Sequence, residues 1–396
     1  MHTILDIAAY LVAIPVSVAL LVLGLECLLA LLPSKVLPLG DRAPCVVLIP
    51  AHNEEQGIEK TLANVRVSLE PGDRLVVVAD NCSDATASIA RTSGAEVVVR
   101  DDPKNRGKGF ALAAGVEHIK ASRGETAHSP SVLVVLDADC EFADSALDRL
   151  VRITSGSEVP IQALYLLHVS PSGRATQRLS AFAFLTKNRI RPRGLTRAGL
   201  PVPLTGSGMA FPWKLADELL LGSSEIVEDL DLGLRLVRKG LGPRFCETAQ
   251  VDSVFPDSDD AAKEQHARWE LGYIGQMRHK LPGLLSQGLR GDFHALATGL
   301  DLLVPPLSLL MMLSALTGGL LTTNVLLGGS TVPFWIFICT SSLASLGLAL
   351  VWFRFGRQTI SFIELLGIPS YAGKKIAMYA TAPFKSPKQW KRTARN

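Results

Sequence analysis

The sequence lacks paired cysteines. Its six cysteines stand singly, and no two of them have the C-x-x-C spacing that is typical of zinc sites and redox pairs. We therefore expect neither a disulfide framework nor a zinc site. We expect the four central cysteines to lie in a reducing compartment.

Charged residues are absent from two long stretches of the chain. Residues 7–25 are 19 positions without a charge, and residues 302–353 are 52 positions without one. A helix needs about 20 apolar residues to cross a bilayer, so the first stretch predicts one transmembrane helix and the second predicts two. The sequence GGSTVP at residues 328–333 marks the break inside the second stretch. The first stretch lacks the flanking basic region and cleavage site of a signal peptide, which argues against its removal.

Basic residues are distributed unevenly around these stretches. The tail after residue 353 carries nine Lys or Arg and one acid, whereas the turn at residues 328–333 carries no charge. The positive-inside rule therefore predicts a multi-pass protein of the cell's inner membrane, with the tail and the central region in the cytosol. Residues 360–384 are interrupted by proline, glycine and lysine, so we expect this segment to lie in the membrane interface.

Short valine-rich runs alternate with amphipathic stretches in the central region. The runs at residues 45–49, 75–79, 96–100 and 132–136 are typical of buried strands. Helical patterns at residues 55–68, 84–93 and 107–120 lie between them. This alternation predicts an α/β fold with a mostly parallel sheet that is covered on both faces.

Polar residues follow three of these runs directly. PAHNEE follows the first run, DNCSDAT the second and DADC the fourth. A helix N-cap explains any one of them, but their recurrence at the edge where parallel sheets bind ligands favours a common site. Asp137 and Asp139 place two carboxylates at the end of a buried strand. Such a pair suits Mg²⁺ or Mn²⁺ that keeps open positions for phosphate oxygens.

Six segments occur in an order that resembles glycosyltransferase family 2, especially its membrane-embedded members such as the cellulose, chitin and hyaluronan synthases. They are PAHNEE, ADNCSD, RGKGFAL, DAD, VEDLDLGLRL and QHARWELG, and the similarity covers residues 43–276. The resemblance implies a GT-A fold, in which a Rossmann-like, mostly parallel sheet is joined to an acceptor half. It also implies inverting transfer of a sugar from a nucleotide-sugar, with a UDP-sugar as the expected donor.

The resemblance assigns roles to residues of the nucleotide-binding half. Asp80 would contact the uracil base and Glu54 would lie near the ribose. Lys108 would face the uridine or the phosphates, although a surface lysine is the simpler interpretation of its sequence alone. The implied nucleotide-sugar ligands are Pro50, Asn53, Glu54, Asp80, Lys108 and Asp137, and the implied metal ligands are Asp137 and Asp139.

The segment VEDLDLGLRL resembles the family's T-E-D sequence, whose last acid is the catalytic base. This makes Asp229 the expected base, with Val227 in place of the usual threonine. The alternative is that Glu228, Asp229 and Asp231 only complement the dipole at the start of a helix.

QHARW resembles the family's Q-x-x-R-W, and TGSGMAF resembles its acceptor loop. A tryptophan offers a flat face to a sugar ring, and an arginine offers a planar fork to diphosphate oxygens. An interfacial tryptophan and a solvated arginine are the simpler alternative. The expected acceptor and diphosphate ligands are Gly206, Ser207, Gly208, Glu228, Gln265, Arg268 and Trp269.

Residues 187–197 carry five Lys or Arg and no acid. Two interpretations are open for this segment, which we expect to be a loop. It is solvated, or it contacts lipid headgroups or the diphosphate of a lipid-linked acceptor.

These observations predict an inverting, metal-dependent glycosyltransferase of exopolysaccharide or glycolipid assembly. The expected acceptor is a lipid, a lipid-linked molecule or a growing polysaccharide, and no nucleic-acid partner is expected. Single transfer is favoured because three spans are few for a polymer channel, with a processive β-polysaccharide synthase as the alternative. Other polysaccharide-assembly proteins or a second copy of the chain are candidate partners. A nucleotidyltransferase and an inactive scaffold of a synthase complex are rivals from other classes.

The expected domains follow the same logic. Residues 1–34 would be a transmembrane helix, 43–280 the cytosolic domain (43–145 for the nucleotide and 146–280 for the acceptor), and 281–301 an interfacial connection. Residues 302–353 would form two transmembrane helices, and 354–396 a basic interfacial tail.

Overall fold

The computed structural model describes residues 2–122, 130–170, 173–220, 227–255, 259–376 and 379. These residues form two compact units. The sheet unit comprises the described residues of Lys35–Ser170 and Pro201–Gly272, and the helical unit comprises those of Met1–Ser34, Pro171–Leu200 and Tyr273–Ser386. Residues 173–200, which lie inside the expected acceptor half, therefore group with the helical unit.

The sheet unit is built on eight strands. They are β1 (Cys45–Ala51), β2 (Arg74–Asp80), β3 (Glu96–Arg100), β4 (Val132–Val135), β5 (Glu141–Phe142), β6 (Ile161–His168), β7 (Met209–Pro212) and β8 (Arg244–Val254). Their order in the sheet is β3-β2-β1-β4-β7-β6-β8-β5. The four strands predicted from valine-rich runs, β1 to β4, are parallel to their neighbours among themselves, and β6 is parallel to β8. The predicted α/β fold with a mostly parallel sheet is confirmed.

Helices cover this sheet. They are α2 (Ile58–Val67), α3 (Thr86–Thr92), α4 (Lys108–Ala121), α5 (Ala146–Ser155) and α8 (Glu228–Arg238), with a 3₁₀ helix at Trp213–Leu219. β1, β2 and β4 are buried almost throughout because their aliphatic side chains meet helices on one face or the other. Gly115 lets α4 approach closely, since a Cβ atom there would lie 2.4 Å from Leu48 Cδ1.

The helical unit contains three helices that are long and apolar enough to cross a membrane. They span Leu5–Ala30, Leu307–Leu326 and Val332–Gly356. The one N-terminal and two C-terminal spans that we predicted are therefore present. The other helices are α6 (Ala175–Leu185), α7 (Arg191–Arg197), α10 (Phe293–Leu302), α13 (Phe362–Leu365) and α14 (Ile368–Lys374). The three spans belong to α1 (His2–Ala30), α11 (Leu307–Leu326) and α12 (Val332–Val351), and α9 (Asp259–Leu289) begins in the sheet unit.

α1 and α12 run parallel in close contact. A Cβ atom on Gly24 would lie 3.1 Å from the backbone nitrogen of Ala344, and one on Gly347 would lie 2.9 Å from Cys27 Cβ. At the start of both helices, Ser330 N donates a hydrogen bond of 2.7 Å to Asp6 Oδ1. The two helices therefore end on the same side of the unit.

The expected loop at residues 187–197 is wrong. A π-helical turn at Thr186–Ile190 leads directly into α7. Arg191 is buried, and its guanidinium donates to Glu26 Oε2 at 2.8 Å and to Asp301 Oδ1 at 2.6 Å. Arg193 is also buried and donates to the carbonyls of Ala30 and Leu32. These two arginines are neither solvated nor available to a headgroup, because the unit supplies their partners.

The tail after residue 353 is described in its first part. α13 and α14 pack on α6, where Arg178 Nη1 lies 3.0 Å from Glu364 Oε1 and Ser180 Oγ lies 2.9 Å from Tyr371 Oη. The remainder of the expected basic tail, residues 377–378 and 380–396, lies outside the described residues.

Candidate active site

Lys108 lies at the centre of an acidic cluster in the sheet unit. Its Nζ is 2.5 Å from Asp137 Oδ1 and 3.9 Å from Glu228 Oε1, and it donates a hydrogen bond of 2.6 Å to the carbonyl oxygen of Gly206. Burial lowers the pKa of Lys108, but the carboxylates of Asp137 and Glu228 raise it above its ordinary value. The side chain is therefore a fixed positive charge. The interpretation of Lys108 as a surface lysine is wrong, since only 17% of its side chain is exposed.

The residues around the start of α4 place Lys108 in this cluster. α4 begins directly after Gly107, whose φ of 129° is a conformation that glycine adopts readily. Lys108 is thus the first residue of the helix, next to the carboxyl ends of the parallel strands. This is the edge where sheets of this kind bind ligands.

The turn after β4 brings together the two predicted metal ligands. One ligand atom each from Asp137, Asp139 and Cys140 lies within 4.8 Å of the others. Ser253 Oγ on β8 donates to the backbone oxygen of Asp139 at 2.9 Å and to its Oδ2 at 3.1 Å. Thr61 Oγ1 on α2 donates to the carbonyl of Ala138. Because two separate elements hold this turn, the carboxylates are positioned before any ligand binds.

Cys140 differs from the two carboxylates in its chemistry. Burial raises the pKa of its thiol well above the ordinary value, and the charges of Asp139 and Asp137 raise it further. The thiol therefore keeps its proton near neutral pH, whereas a metal ligand is a thiolate. The oxygen donors that remain suit Mg²⁺ or Mn²⁺.

The predicted acceptor loop joins this cluster through its backbone. Gly206 and Gly208 have φ values of 90° and 67°. Asp137 N donates to Ser207 Oγ, and a Cβ atom on Gly206 would lie 3.2 Å from Asp229 Oδ2. Gln162, buried on β6, donates to the carbonyl of Ser207 and accepts from the backbone nitrogen of Thr205, both at 2.9 Å. The loop is thus fixed on both sides.

The three acids at the start of α8 have different surroundings. Asp231 lies 3.1 Å from Arg235 Nε, one turn later on the same helix, and forms an ion pair within α8. Glu228 and Asp229 instead lie in the Lys108 cluster. Burial raises the pKa of Glu228 to about 8, against the opposing charge of Lys108. The alternative that all three acids only complement the helix dipole therefore does not account for Glu228 and Asp229.

The residues expected around the nucleoside form a second group, at the ends of β1 and β2. Asp80 Oδ1 accepts from Arg100 Nη1 at 2.6 Å. Asn53 has a φ of 56°, and its Oδ1 accepts from Ser83 N at 2.7 Å. Glu54 N donates to Thr86 Oγ1 on α3, and Pro50 lies opposite Val78 in the sheet.

The residues of QHARW lie on α9. Gln265 is buried, and its Oε1 has no hydrogen-bond partner among the described residues. Trp269 meets the ring of His266 edge-on at 6.0 Å, and His266 lies 5.7 Å from the ring of Phe255 after β8. Arg268, one residue before the tryptophan, is partly exposed.

The predicted residues thus fall into three groups, and their individual roles stay predictions. The Lys108 cluster unites metal, base and acceptor-loop candidates. The nucleoside and QHARW residues make the separate contacts just described. Sequence reasoning missed Arg100, Gln162 and Ser253. Arg100 had a signal, since a charged residue ends a valine-rich strand. Gln162 and Ser253 act across 45 and 114 positions of chain and had none.

Comparison with known proteins gives three kinds of similarity. The model of a family described as Glycosyltransferase like family 2 matches residues 43–272, more than half of the chain. An uncharacterized protein of Methanocaldococcus jannaschii is 32% identical over 106 residues, which cover 27% of this chain and 40% of that protein. An uncharacterized glycosyltransferase of Mycobacterium tuberculosis is 27% identical over 193 residues, which cover 43% of this chain and 81% of that protein.

Similarity to a solved structure extends over both units. A mannosyltransferase from Pyrobaculum calidifontis, solved in complex with GDP-Man and Mn²⁺, matches 96% of this chain and 99% of its own, with a TM-score of 0.56 and 16% identity. The predicted GT-A fold is confirmed by this likeness.

Proposed function

Because this chain belongs to glycosyltransferase family 2, we propose that it transfers a sugar, with inversion, from a nucleotide-sugar to an acceptor at a membrane surface. The acceptor class we propose is a lipid or lipid-linked molecule, reached from the cytosolic face of the inner membrane. The observation that carries the proposal is the Lys108 cluster, which combines a fixed cation, a pair of oxygen donors and partly buried acids at the ligand-binding edge of the sheet.

Asp137 and Asp139 are the residues that would hold a divalent metal. Their side-chain oxygens are close enough to share one ion, and Ser253 and Thr61 fix the turn that carries them. A metal bound there supplies positive charge that stabilises the departing diphosphate. The chemistry of the donor set fits Mg²⁺ or Mn²⁺, and the Pyrobaculum mannosyltransferase was solved with Mn²⁺.

Lys108 supports the same step with a second positive charge beside Asp137. Its ammonium group is held between Asp137 and the carbonyl of Gly206, so it can approach a phosphate oxygen without losing a defined position. Hydrogen bonds between charged groups are about twice as strong as those between neutral groups. We assign Lys108 to the binding of the donor phosphates.

Asp229 is the acid that we assign as base. A base must be ionised when the acceptor hydroxyl attacks, and Glu228, whose pKa is raised to about 8, carries its proton near neutral pH. Asp229 lies beside Gly206, where the positive φ of the loop leaves room that a side chain would fill. An acceptor hydroxyl can reach the carboxylate over that glycine.

The donor and the reaction can be tested together. Purified full-length protein in lipid nanodiscs would be given UDP-sugars and GDP-sugars in turn, with Mn²⁺ or with EDTA, and release of the nucleoside diphosphate would be followed. We expect metal-dependent release from one donor, increased by added native lipid extract. Release that is equal with EDTA would overturn the metal assignment, and formation of a nucleotide-sugar in place of diphosphate release would indicate a nucleotidyltransferase.

A further inference from the structure

Arg100 makes three separate contacts at the carboxyl edge of the sheet. Its Nη1 donates to Asp80 Oδ1 at 2.6 Å, and its Nη2 donates to Asp102 Oδ2 at 3.0 Å. Its guanidinium carbon lies 5.7 Å from the centroid of the Phe110 ring on α4. Only 15% of the Arg100 side chain and 8% of the Asp80 side chain are exposed. Solvent ions therefore screen the ion pair weakly, and the guanidinium group is fixed at three points.

The two oxygens of the Asp80 carboxylate differ in the hydrogen bonds that they accept. Oδ1 accepts from Arg100 and, at 2.9 Å, from Asn81 Nδ2. Each oxygen of an ionised carboxylate has about two acceptor positions, so both positions on Oδ1 are occupied. Oδ2 accepts no hydrogen bond from the residues that the structure describes. Asp80 therefore offers one oxygen, and not two, to a ligand.

The end of β3 fixes the turn that follows β2. Asp80 and Arg100 lie opposite each other in the parallel register of these strands. Asn81 has a φ of 52°, and its backbone nitrogen donates to the carbonyl of Arg100 at 2.7 Å. The side-chain oxygen of Asn81 accepts from the backbone nitrogen of Asp102 at 3.0 Å. The carboxylate of Asp80 is thus oriented before any ligand binds.

The end of β2 lies at a suitable distance from the residues that we assign to the donor phosphates. β4, which leads into Asp137, pairs with β1, and β1 pairs with β2. Neighbouring strands are about 4.8 Å apart, so the ends of β4 and β2 are about 10 Å apart. The ribose and the α-phosphate of a nucleoside diphosphate separate its base from its β-phosphate by a comparable length. With the diphosphate at Lys108 and Asp137, the base can therefore contact Asp80.

We propose that Arg100 makes the base site selective for uracil over guanine, because it leaves Asp80 only one oxygen for the base. This inference rests on the proposed function, since it takes a nucleotide-sugar as the donor. Uracil presents one ring N–H between two carbonyl groups, and one carboxylate oxygen can accept it. Guanine presents two adjacent donors, on N1 and on N2, which require both oxygens. Arg100 is a positioning residue, because it acts on the base through Asp80.

Calorimetric binding of UDP and GDP to the purified full-length protein in detergent, with Mn²⁺, tests this proposal. We expect the wild type to bind UDP at least about tenfold more tightly than GDP, since guanine would leave one N–H without an acceptor. Arg100→Met releases Asp80 Oδ1, so the UDP preference should fall to about threefold or less. Arg100→Lys lacks the planar fork of donors and should lose part of the preference, and it replaces Arg100→Met if that variant does not fold.

The matched control is Arg74→Met. Arg74 donates to both carboxylate oxygens of Glu96, at 2.8 and 2.6 Å, and so joins β2 to β3 at their amino ends. Loss of this pair affects the same two strands far from the base, so the UDP preference should stay within about twofold of the wild-type value. An equal loss of preference in Arg74→Met and Arg100→Met would overturn the proposal. An unchanged preference in Arg100→Met would also overturn it.

Binding to the wild type separates a failure of this inference from a failure of the proposed function. GDP bound as tightly as UDP would overturn the selectivity and leave the proposed sugar transfer intact. Cytosine presents a ring nitrogen without a hydrogen, which an ionised carboxylate repels, so CDP bound as tightly as UDP would overturn the contact between Asp80 and the base. If no nucleoside diphosphate binds in Mn²⁺, the proposed function is overturned and this inference with it.

Discussion

Lys108 holds the acids of the candidate active site together by a single positive charge. Without that charge, Asp137 and Glu228 would lie near one another in a region that little water reaches, and one of them would take up a proton. Burial dominates even with the lysine present, because the pKa of Glu228 is raised to about 8. The protonation of this residue therefore depends on pH across the physiological range.

This gives a prediction for the pH dependence of stability. Between the ordinary pKa of glutamate, about 4.3, and the folded value of about 8, the folded protein holds a proton at Glu228 that the unfolded protein releases. The contribution of Glu228 to the free energy of unfolding therefore falls as pH rises through this window, and is constant above it. In EDTA, the unfolding temperature of Glu228→Gln relative to wild type should rise from pH 5 to pH 8.

The matched control for this prediction is Asp231→Asn, which changes an acid of the same helical turn that pairs with Arg235. The difference between this control and the wild type should not increase in the same window. A difference between Glu228→Gln and the wild type that does not vary with pH would contradict the raised pKa.

At the scale of elements, the acceptor loop depends on backbone conformations that glycine provides. Gly208 has a φ of 67°, and a Cβ atom there would lie 2.8 Å from Ala163 Cβ and 2.9 Å from Val251 Cγ2. Gly206 has a φ of 90°, and its added Cβ would meet Asp229. Replacing Gly208 should therefore mainly reduce stability, and replacing Gly206 should mainly reduce activity.

We expect Gly208→Ala to lower the free energy of unfolding by about 2–4 kcal/mol, through left-handed strain and a clash with β6 and β8. Gly206→Ala should lower turnover by at least about tenfold with a smaller loss of stability, because its methyl group lies at the candidate base. Chemical denaturation and initial rates measure the two effects.

Gly240→Ala is the control, since Gly240 has a φ of 75° and nothing within 4 Å of the added Cβ. Gly240→Ala therefore has only the cost of placing an alanine in a left-handed conformation, which we expect to lower the free energy of unfolding by about 1–2 kcal/mol. If all three variants lost the same stability and activity, the contacts of the loop would have no role.

The elements differ in how far they could be predicted from sequence. β1, β2 and β4 are buried on both faces, so their aliphatic runs identify them directly. β5 has two residues and β7 has four, too few for a periodic pattern to predict them. The helix at residues 186–197 was mistaken for a loop because its partners, Glu26 and Asp301, are more than 100 residues away.

Site residues that lie in sequence motifs could be predicted. Residues that reach the site through contacts between strands could not. Lys108, Asp137 and Asp229 each lie in a motif, and the structure brings them together. Arg100 on β3 binds Asp80 on the paired strand β2, and Ser253 on β8 binds Asp139 in the turn before β5, which pairs with β8. Strand order and register decide such contacts, and neither is encoded in a local pattern.

At the scale of the whole molecule, a buried ionic group joins three helices of the helical unit. Arg191 from α7 pairs with Glu26 on the first membrane-spanning helix and with Asp301 on α10. Removal of one member of a buried pair leaves an uncompensated charge, which costs about 3–5 kcal/mol. Arg191→Met should therefore clearly lower the unfolding temperature of the protein in detergent. Arg197→Gln, which changes an exposed arginine, should leave this temperature unchanged. Equal unfolding temperatures would show that the pairing contributes nothing to stability.

The assignment of Asp229 as base is the central claim, and turnover measured beside donor binding tests it most directly. The comparison is between Asp229→Asn and Asp231→Asn, two isosteric changes on one helical turn. We predict that Asp229→Asn binds the metal and the nucleotide-sugar within about threefold of wild type but loses about 10²–10⁴ in turnover, while Asp231→Asn keeps its turnover. Retained turnover in Asp229→Asn, with donor binding intact, would contradict the account.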